Sequence, residues 1–135
     1  PIGLGLLRRA ARVVFVESAP DAVRGLAMGI AARPEAEQQR AAVVAGSAGE
    51  ALEARDGAQV VLVDPPRRGL DAQLAARLAA NPPPVLIYVS CDVASFRRDA
   101  AQLVGADRAR LAALEAWSLF PNTEHVETLA RFDRA

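Results

Sequence analysis

The sequence has no lysine and only one cysteine, one histidine, one tryptophan and one tyrosine in 135 residues. Cys91 has no partner for an internal disulfide, so nothing ties the chain to an oxidising compartment. One cysteine and one histidine (His125) do not make a structural metal site, and no metal is expected. No apolar run approaches the ~20 residues of a membrane-spanning helix, and no secretory signal pattern opens the sequence. The reading is a cytoplasmic protein without a membrane partner. An excess of charge is also lacking: 16 basic and 16 acidic residues cancel, which leaves no global field to draw in nucleic acid. That every basic residue is arginine reads as a compositional bias of the genome. The pairs Arg67-Arg68 and Arg97-Arg98 still offer a local basic rim.

What is present is a chain that is 52% hydrophobic, long enough for one domain over residues 1–135 and too apolar for disorder. It opens on Pro1 without Met, which reads as a processed chain or a piece of a longer one. Pro1 to Ala11 predicts a helix, Arg12 to Glu17 a buried strand, and Ala19 to Ala32 a helix closed by Pro34. Ala41 to Ala45 predicts a second strand, and Gly46-Ser47 opens a short helix to about Ala54. Gln59 to Val63 predicts a third strand, running into the rigid loop Asp64-Pro65-Pro66-Arg67-Arg68-Gly69. After a helix over Leu70 to Ala80, the β-rich run Val85 to Val89 hands over at Ser90-Cys91 to an amphipathic helix from about Val93 to Gly105. Strand patterns over Leu111 to Phe120 and His125 to Phe132 follow, joined by a turn at Pro121 to Glu124.

Strands alternating with helices at this spacing predict an α/β fold with a mostly parallel sheet. The last two strands have no helix between them and predict an antiparallel hairpin at one edge. That combination is the architecture of Rossmann-like class I methyltransferases, which use S-adenosylmethionine. The first strand of that architecture, with its Gly-rich loop, is not in the sequence and is expected before Pro1. Without it the neighbouring strands keep unpaired edges, so the segment alone is expected to self-associate or to need what precedes it.

Five places carry possible chemistry. Glu17 ends the first strand, where an acid in such sheets accepts hydrogen bonds from ribose hydroxyls, although an acid there also simply opens a loop. Ser47 stands where many such enzymes have an acid that meets adenine, and a plain helix cap is the favoured reading. Asp64 ends a central strand and, rigidified by Pro65 and Pro66, is placed to hold a cofactor or a planar base. Arg67 occupies the position where methylators of exocyclic nitrogen carry an aromatic, and so argues against that reaction. Cys91 sits between a strand end and a helix start, an arrangement that favours a reactive thiolate over the commoner buried, inert cysteine. Glu127 lies in an apolar strand, where a carboxylate is costly without a task or partner. His125 shares its strand face, and a structural role is preferred for it.

Three motifs occur in order and in register: Asp64-Pro65-Pro66-Arg67-Arg68-Gly69-Leu70, Tyr88-Val89-Ser90-Cys91-Asp92, and Leu119 to Thr128 (LFPNTEHVET). Together they resemble the catalytic domain of the RNA uracil-5-methyltransferase family, whose members make 5-methyluridine in transfer or ribosomal RNA. The resemblance covers essentially the whole chain, as the carboxyl-terminal part of a longer protein. It implies S-adenosyl-L-methionine as cofactor, with Glu17, Asp64 and Ser47 toward it, and RNA as the partner. It implies Cys91 as the nucleophile that adds to C6 of uracil, Glu127 as the base that removes the C5 proton, and Arg67 as an aid in positioning the base. The target uridine must leave its stack to reach the thiol.

The chain departs from the family pattern in places. Asp92-Val93 replaces the usual Asn-Pro after Ser-Cys, and the added negative charge opposes a thiolate at Cys91. Ser47 replaces the usual acid. The cysteines that hold an iron–sulfur cluster in some members lie upstream in those proteins, and this chain has no such set. Two other readings remain beside this one: a Rossmann methyltransferase with another substrate, which needs no covalent thiol, and a catalytically inactive fragment or RNA-binding scaffold, which binds no cofactor.

Overall fold

The computed structural model describes residues 2–118 and 126–135. The chain divides into two compact units, Pro1–Asp56 and Gly57–Ala135, each taken in turn.

In the first unit, β1 (Val13–Glu17) and β2 (Ala41–Ala45) pair in parallel, in register from Val13↔Ala41 to Glu17↔Ala45. Both are short apolar runs dominated by Val and Ala, and β1 adds Phe15. The crossover between them is α2 (Pro20–Ala31), with Pro in its first turn and Asp21 paired with Arg24. Leu26 is its buried residue. A four-residue α3 (Glu35–Gln38), absent from the sequence reading, follows Pro34 directly. The proline that ends one helix also starts the next. The predicted first helix is shorter than its pattern: α1 covers Ile2–Leu6, and turns carry the chain to Ala10. Two glycines in five residues, Gly3 and Gly5, weaken it, and Gly3 lets the helix lie against the Phe15 ring. After β2 the predicted helix is a turn followed by a 3-10 turn at Leu52–Arg55.

The second unit holds a four-stranded sheet in the order β3-β4-β6-β5: β3 (Val60–Val63), β4 (Val85–Ser90), β5 (Ala109–Trp117) and β6 (Glu127–Arg134). β3 and β4 are parallel, while β6 runs antiparallel to both β4 and β5. The carboxyl-terminal hairpin is therefore present, with its second strand inserted between β4 and β5. Burial alternates along β4 and β6, so Leu86, Tyr88, Ser90, Thr128, Ala130 and Phe132 share one covered face. Two helices contribute to this core: α4 (Ala72–Ala80) through Leu74 and Leu78, and α5 (Val93–Val104) through Phe96 and Leu103. Tyr88 and Phe96 meet edge to face, with ring centroids 5.4 Å apart. Asp71 caps α4, accepting from the Gln73 and Leu74 backbone N–H groups at 2.9 and 3.3 Å.

Candidate active site

The six residues singled out by sequence fall into two groups. Glu17 and Ser47 belong to the first unit; Asp64, Arg67, Cys91 and Glu127 belong to the second. Leu119 to His125, the larger part of the third motif, lies outside the described residues.

In the first unit both side chains stand at the carboxyl end of the parallel pair, the end where open α/β sheets bind ligands. Glu17 is the last residue of β1, and its Oε1 accepts the Ala19 backbone N–H at 2.9 Å. That bond occupies one carboxylate oxygen and holds the group at the strand end. Ser47 lies two residues beyond β2. Its Oγ donates to Glu50 Oε2 at 2.8 Å and accepts the Glu50 backbone N–H at 3.2 Å. This exchange has the form of a capping box, here closing a single turn.

In the second unit Cys91 follows directly on β4, and Asp92 alone separates it from α5. It is a free, half-buried thiol. The register of β4 with β6 ends at Ser90↔Thr128; Cys91 and Glu127 are the next residues along the two chains beyond that last pair. The last pair is fastened by Thr128 Oγ1, which donates to the Ser90 carbonyl at 3.3 Å, with both residues buried. One strand pairing thus brings together the strand ends next to which the nucleophile and carboxylate candidates, far apart in sequence, are found.

Asp92 turns out to be the N-cap of α5. Its Oδ1 accepts the Ser95 backbone N–H at 2.7 Å, and this bond is the first reason that its carboxyl lies below the ordinary 3.8, with Arg67 adding a favourable charge. Asn and Asp cap helices about equally well, so the departure from Asn at this position keeps the cap. A carboxyl lowered on folding adds stability above its unfolded value, and that stability is lost as pH falls through the lower folded value. Asp92→Asn keeps the cap without the titration, and its melting temperature is expected to fall less than that of the wild type in a thermal series below pH 3.8.

Asp64 and Arg67 are exposed at the carboxyl end of β3 and in the following turn. That turn is closed by the Gly69 N–H donating to the Pro66 carbonyl at 2.8 Å. Arg67 comes within electrostatic reach of Asp92, next to Cys91. One group escaped the sequence reading altogether: Asp99 is buried and accepts from Tyr88, Arg98 and the Leu70 backbone. The signal was available, because Phe96, Asp99 and Leu103 lie on one helical face. Among the described residues no group of three His, Cys, Asp or Glu is placed to hold a metal ion, and no helix is long and apolar enough to cross a membrane.

The family profile described as tRNA (Uracil-5-)-methyltransferase matches residues 51–134, more than half of the chain. The chain belongs to this family. Over almost its full length, 97% of the chain, it is 37% identical to the 23S rRNA (uracil(1939)-C(5))-methyltransferase RlmD of Alkalilimnicola ehrlichii, covering 29% of that protein. It is 41% identical over 75 residues to the tRNA (uracil(54)-C(5))-methyltransferase of Pyrococcus abyssi, which is 56% of this chain and 18% of that one. The crystal structure of the Pyrococcus abyssi tRNA (uracil-54, C5)-methyltransferase, in complex with S-adenosyl-L-homocysteine, superposes with a TM-score of 0.80 at 30% identity. It covers 96% of this chain and 31% of that one. The fold is therefore that of the Rossmann-like methyltransferases. The chain spans less than a third of the length of these family members.

Proposed function

We propose that the protein containing this segment transfers a methyl group from S-adenosylmethionine to C5 of uridine in transfer or ribosomal RNA through a covalent adduct at Cys91. The observation that supports the proposal is the pairing of β4 with β6, whose last pair, Ser90↔Thr128, immediately adjoins Cys91 on one chain and Glu127 on the other, in a member of this family. C5 of uracil is a weak nucleophile. Addition of the Cys91 thiolate to C6 breaks the C5–C6 double bond and leaves a carbanion, delocalised as an enolate, at C5. C5 would then take the methyl group as the methyl–sulfur bond of S-adenosylmethionine breaks and S-adenosylhomocysteine leaves, and Glu127 would remove the hydrogen left on C5 as a proton. The electron pair released expels the Cys91 thiolate and restores the double bond.

Each unit, taken by itself, carries groups of the kind the cofactor would need. Glu17 is a fixed acceptor for ribose hydroxyls, Asp64 is an exposed carboxylate at a strand end, and Ser47 offers a hydroxyl at the end of the adjacent strand. The bound cofactor supplies an electrophilic methyl group on a sulfonium. Arg67, in the turn beside Asp92, is read as the residue that helps position uracil. RNA carrying 5-fluorouridine tests the reading, because fluorine at C5 is not removed as a proton. With the full-length protein and cofactor, an adduct that survives a denaturing gel is expected. Cofactor binding without any such adduct would instead favour a methyltransferase of another substrate.

The strand edges support a second, smaller proposal. β3 and β5 are edge strands of their sheet, with Val60, Leu114 and Trp117 at 55%, 51% and 42% exposure. Unpaired apolar edges template association, and residues 1–135 expressed alone are expected to self-associate. Light scattering that returns a monodisperse monomer across a concentration series would refute this.

A further inference from the structure

We propose that Asp99 is a positioning residue for the reaction at Cys91, fastening the far end of the Asp64–Leu70 loop to α5 and so setting Asp64 and Arg67 relative to the thiol. The inference rests on the function proposed above. Asp99 is 2% exposed, and its carboxylate collects donors from three separate elements. Oδ2 accepts the Leu70 backbone N–H and the Tyr88 hydroxyl, each at 2.7 Å. Oδ1 accepts Arg98 Nε and Nη2 at 3.1 and 2.8 Å. The same Arg98 Nη2 reaches over to the Arg68 carbonyl at 2.6 Å. Two consecutive helix residues therefore hold loop residues 68 and 70.

Gly69, between them, shows how close the approach is. Its φ is +88°, and a Cβ there would stand 2.5 Å from Asp99 Oδ2 and collide with the Arg98 guanidinium. The near end of the loop is fixed as well, because Val63 is in register with Tyr88, the residue that donates to Asp99. Burial, and then Asp99, raise the Tyr88 hydroxyl's pKa far above its ordinary value, so it stays a donor at every working pH. Tyr88 lies three residues before Cys91 on β4, and Asp99 lies on the helix that begins two residues after it. Loop, thiol and carboxylate thus share one frame. A buried ion pair is a poor source of net stability. Charge-assisted bonds drawn from three elements do, however, specify position sharply, and misplacement by about 1 Å costs a reaction on the order of 100-fold.

The test separates rate from amount. The full-length protein is given 5-fluorouridine RNA and cofactor in a single-turnover experiment, and both the rate constant of adduct formation and its amplitude per protein are read. In Asp99→Asn, one accepting oxygen becomes a donor facing donors; the rate constant is expected to fall by about 10- to 100-fold with the amplitude retained. Arg98→Lys, at a side chain 60% exposed and so tolerant of change, keeps the charge but loses the two-pronged grip. It should slow adduct formation in the same way. Unchanged rate constants in Arg98→Lys and in folded Asp99→Asn, with only amplitude lost, would assign Asp99 a purely structural role and overturn the proposal. Absence of an adduct from the wild type would remove the underlying function itself, and is seen before any variant is compared.

Discussion

Cys91→Ala in the full-length protein is expected to lower methyl incorporation into RNA by about four orders of magnitude or more, the scale seen when a covalent nucleophile is removed. The size follows from the chemistry proposed. Without the thiolate, C5 keeps its double bond and has no carbanion character, and Cys91 is the only cysteine in the sequence. The measurement is transfer of a labelled methyl group, run beside cofactor binding by calorimetry. Cofactor binding should survive, because the residues proposed to hold the cofactor are untouched. Full activity in Cys91→Ala would point to a methyltransferase acting on nitrogen or oxygen, where no covalent step is needed. Loss of cofactor binding in the wild type would instead point to a scaffold.

Glu127→Gln should produce the opposite trapped species. The substituted amide keeps the size and the hydrogen bonding of the side chain but cannot accept the C5 proton. Addition and methyl transfer then proceed, elimination stalls, and a methylated adduct accumulates on ordinary, unfluorinated RNA. Turnover is expected to drop by about 100- to 10,000-fold, the usual worth of a positioned general base. A denaturing gel followed by mass spectrometry of the cross-linked peptide distinguishes this from simple inactivation, since the peptide should carry both Cys91 and a methylated base. The double variant Cys91→Ala/Glu127→Gln should form no adduct and be no slower than Cys91→Ala alone, because the two residues act in sequence on one intermediate. Normal turnover in Glu127→Gln would move the base elsewhere, whatever the strand register.

Some of the site could be read in the sequence because its determinants are local. The handover from β4 to α5 is written in a β-rich run, a capping residue and an amphipathic pattern, all within Val85 to Gly105. The capping role of Asp92 was legible too, but its charge drew attention to the neighbouring thiol instead. The helix expected after Gly46 failed for a local reason. Ser47 and Glu50 close one turn, and the chain then continues as a 3-10 turn at Leu52–Arg55. Asp99 shows the other limit. Its place on the apolar face of α5 follows from periodicity, but its partners do not, because Leu70 and Tyr88 lie 29 and 11 residues away.

By itself the sequence determined the order and kind of the principal elements, the rigid Asp64–Gly69 loop, and the presence of a lone thiol at a strand end, since propensity, capping and proline geometry act over a few residues. Tertiary structure alone decided that β6 lies between β4 and β5, and with that insertion that the strand end carrying Glu127 pairs with the end of β4 just before Cys91. Strand pairing is a long-range choice. A slip of one residue would turn Thr128, Ala130 and Phe132 out of the covered face, so burial of that face selects the register, and the register pairs Ser90 with Thr128, the neighbours of the two candidate catalytic groups.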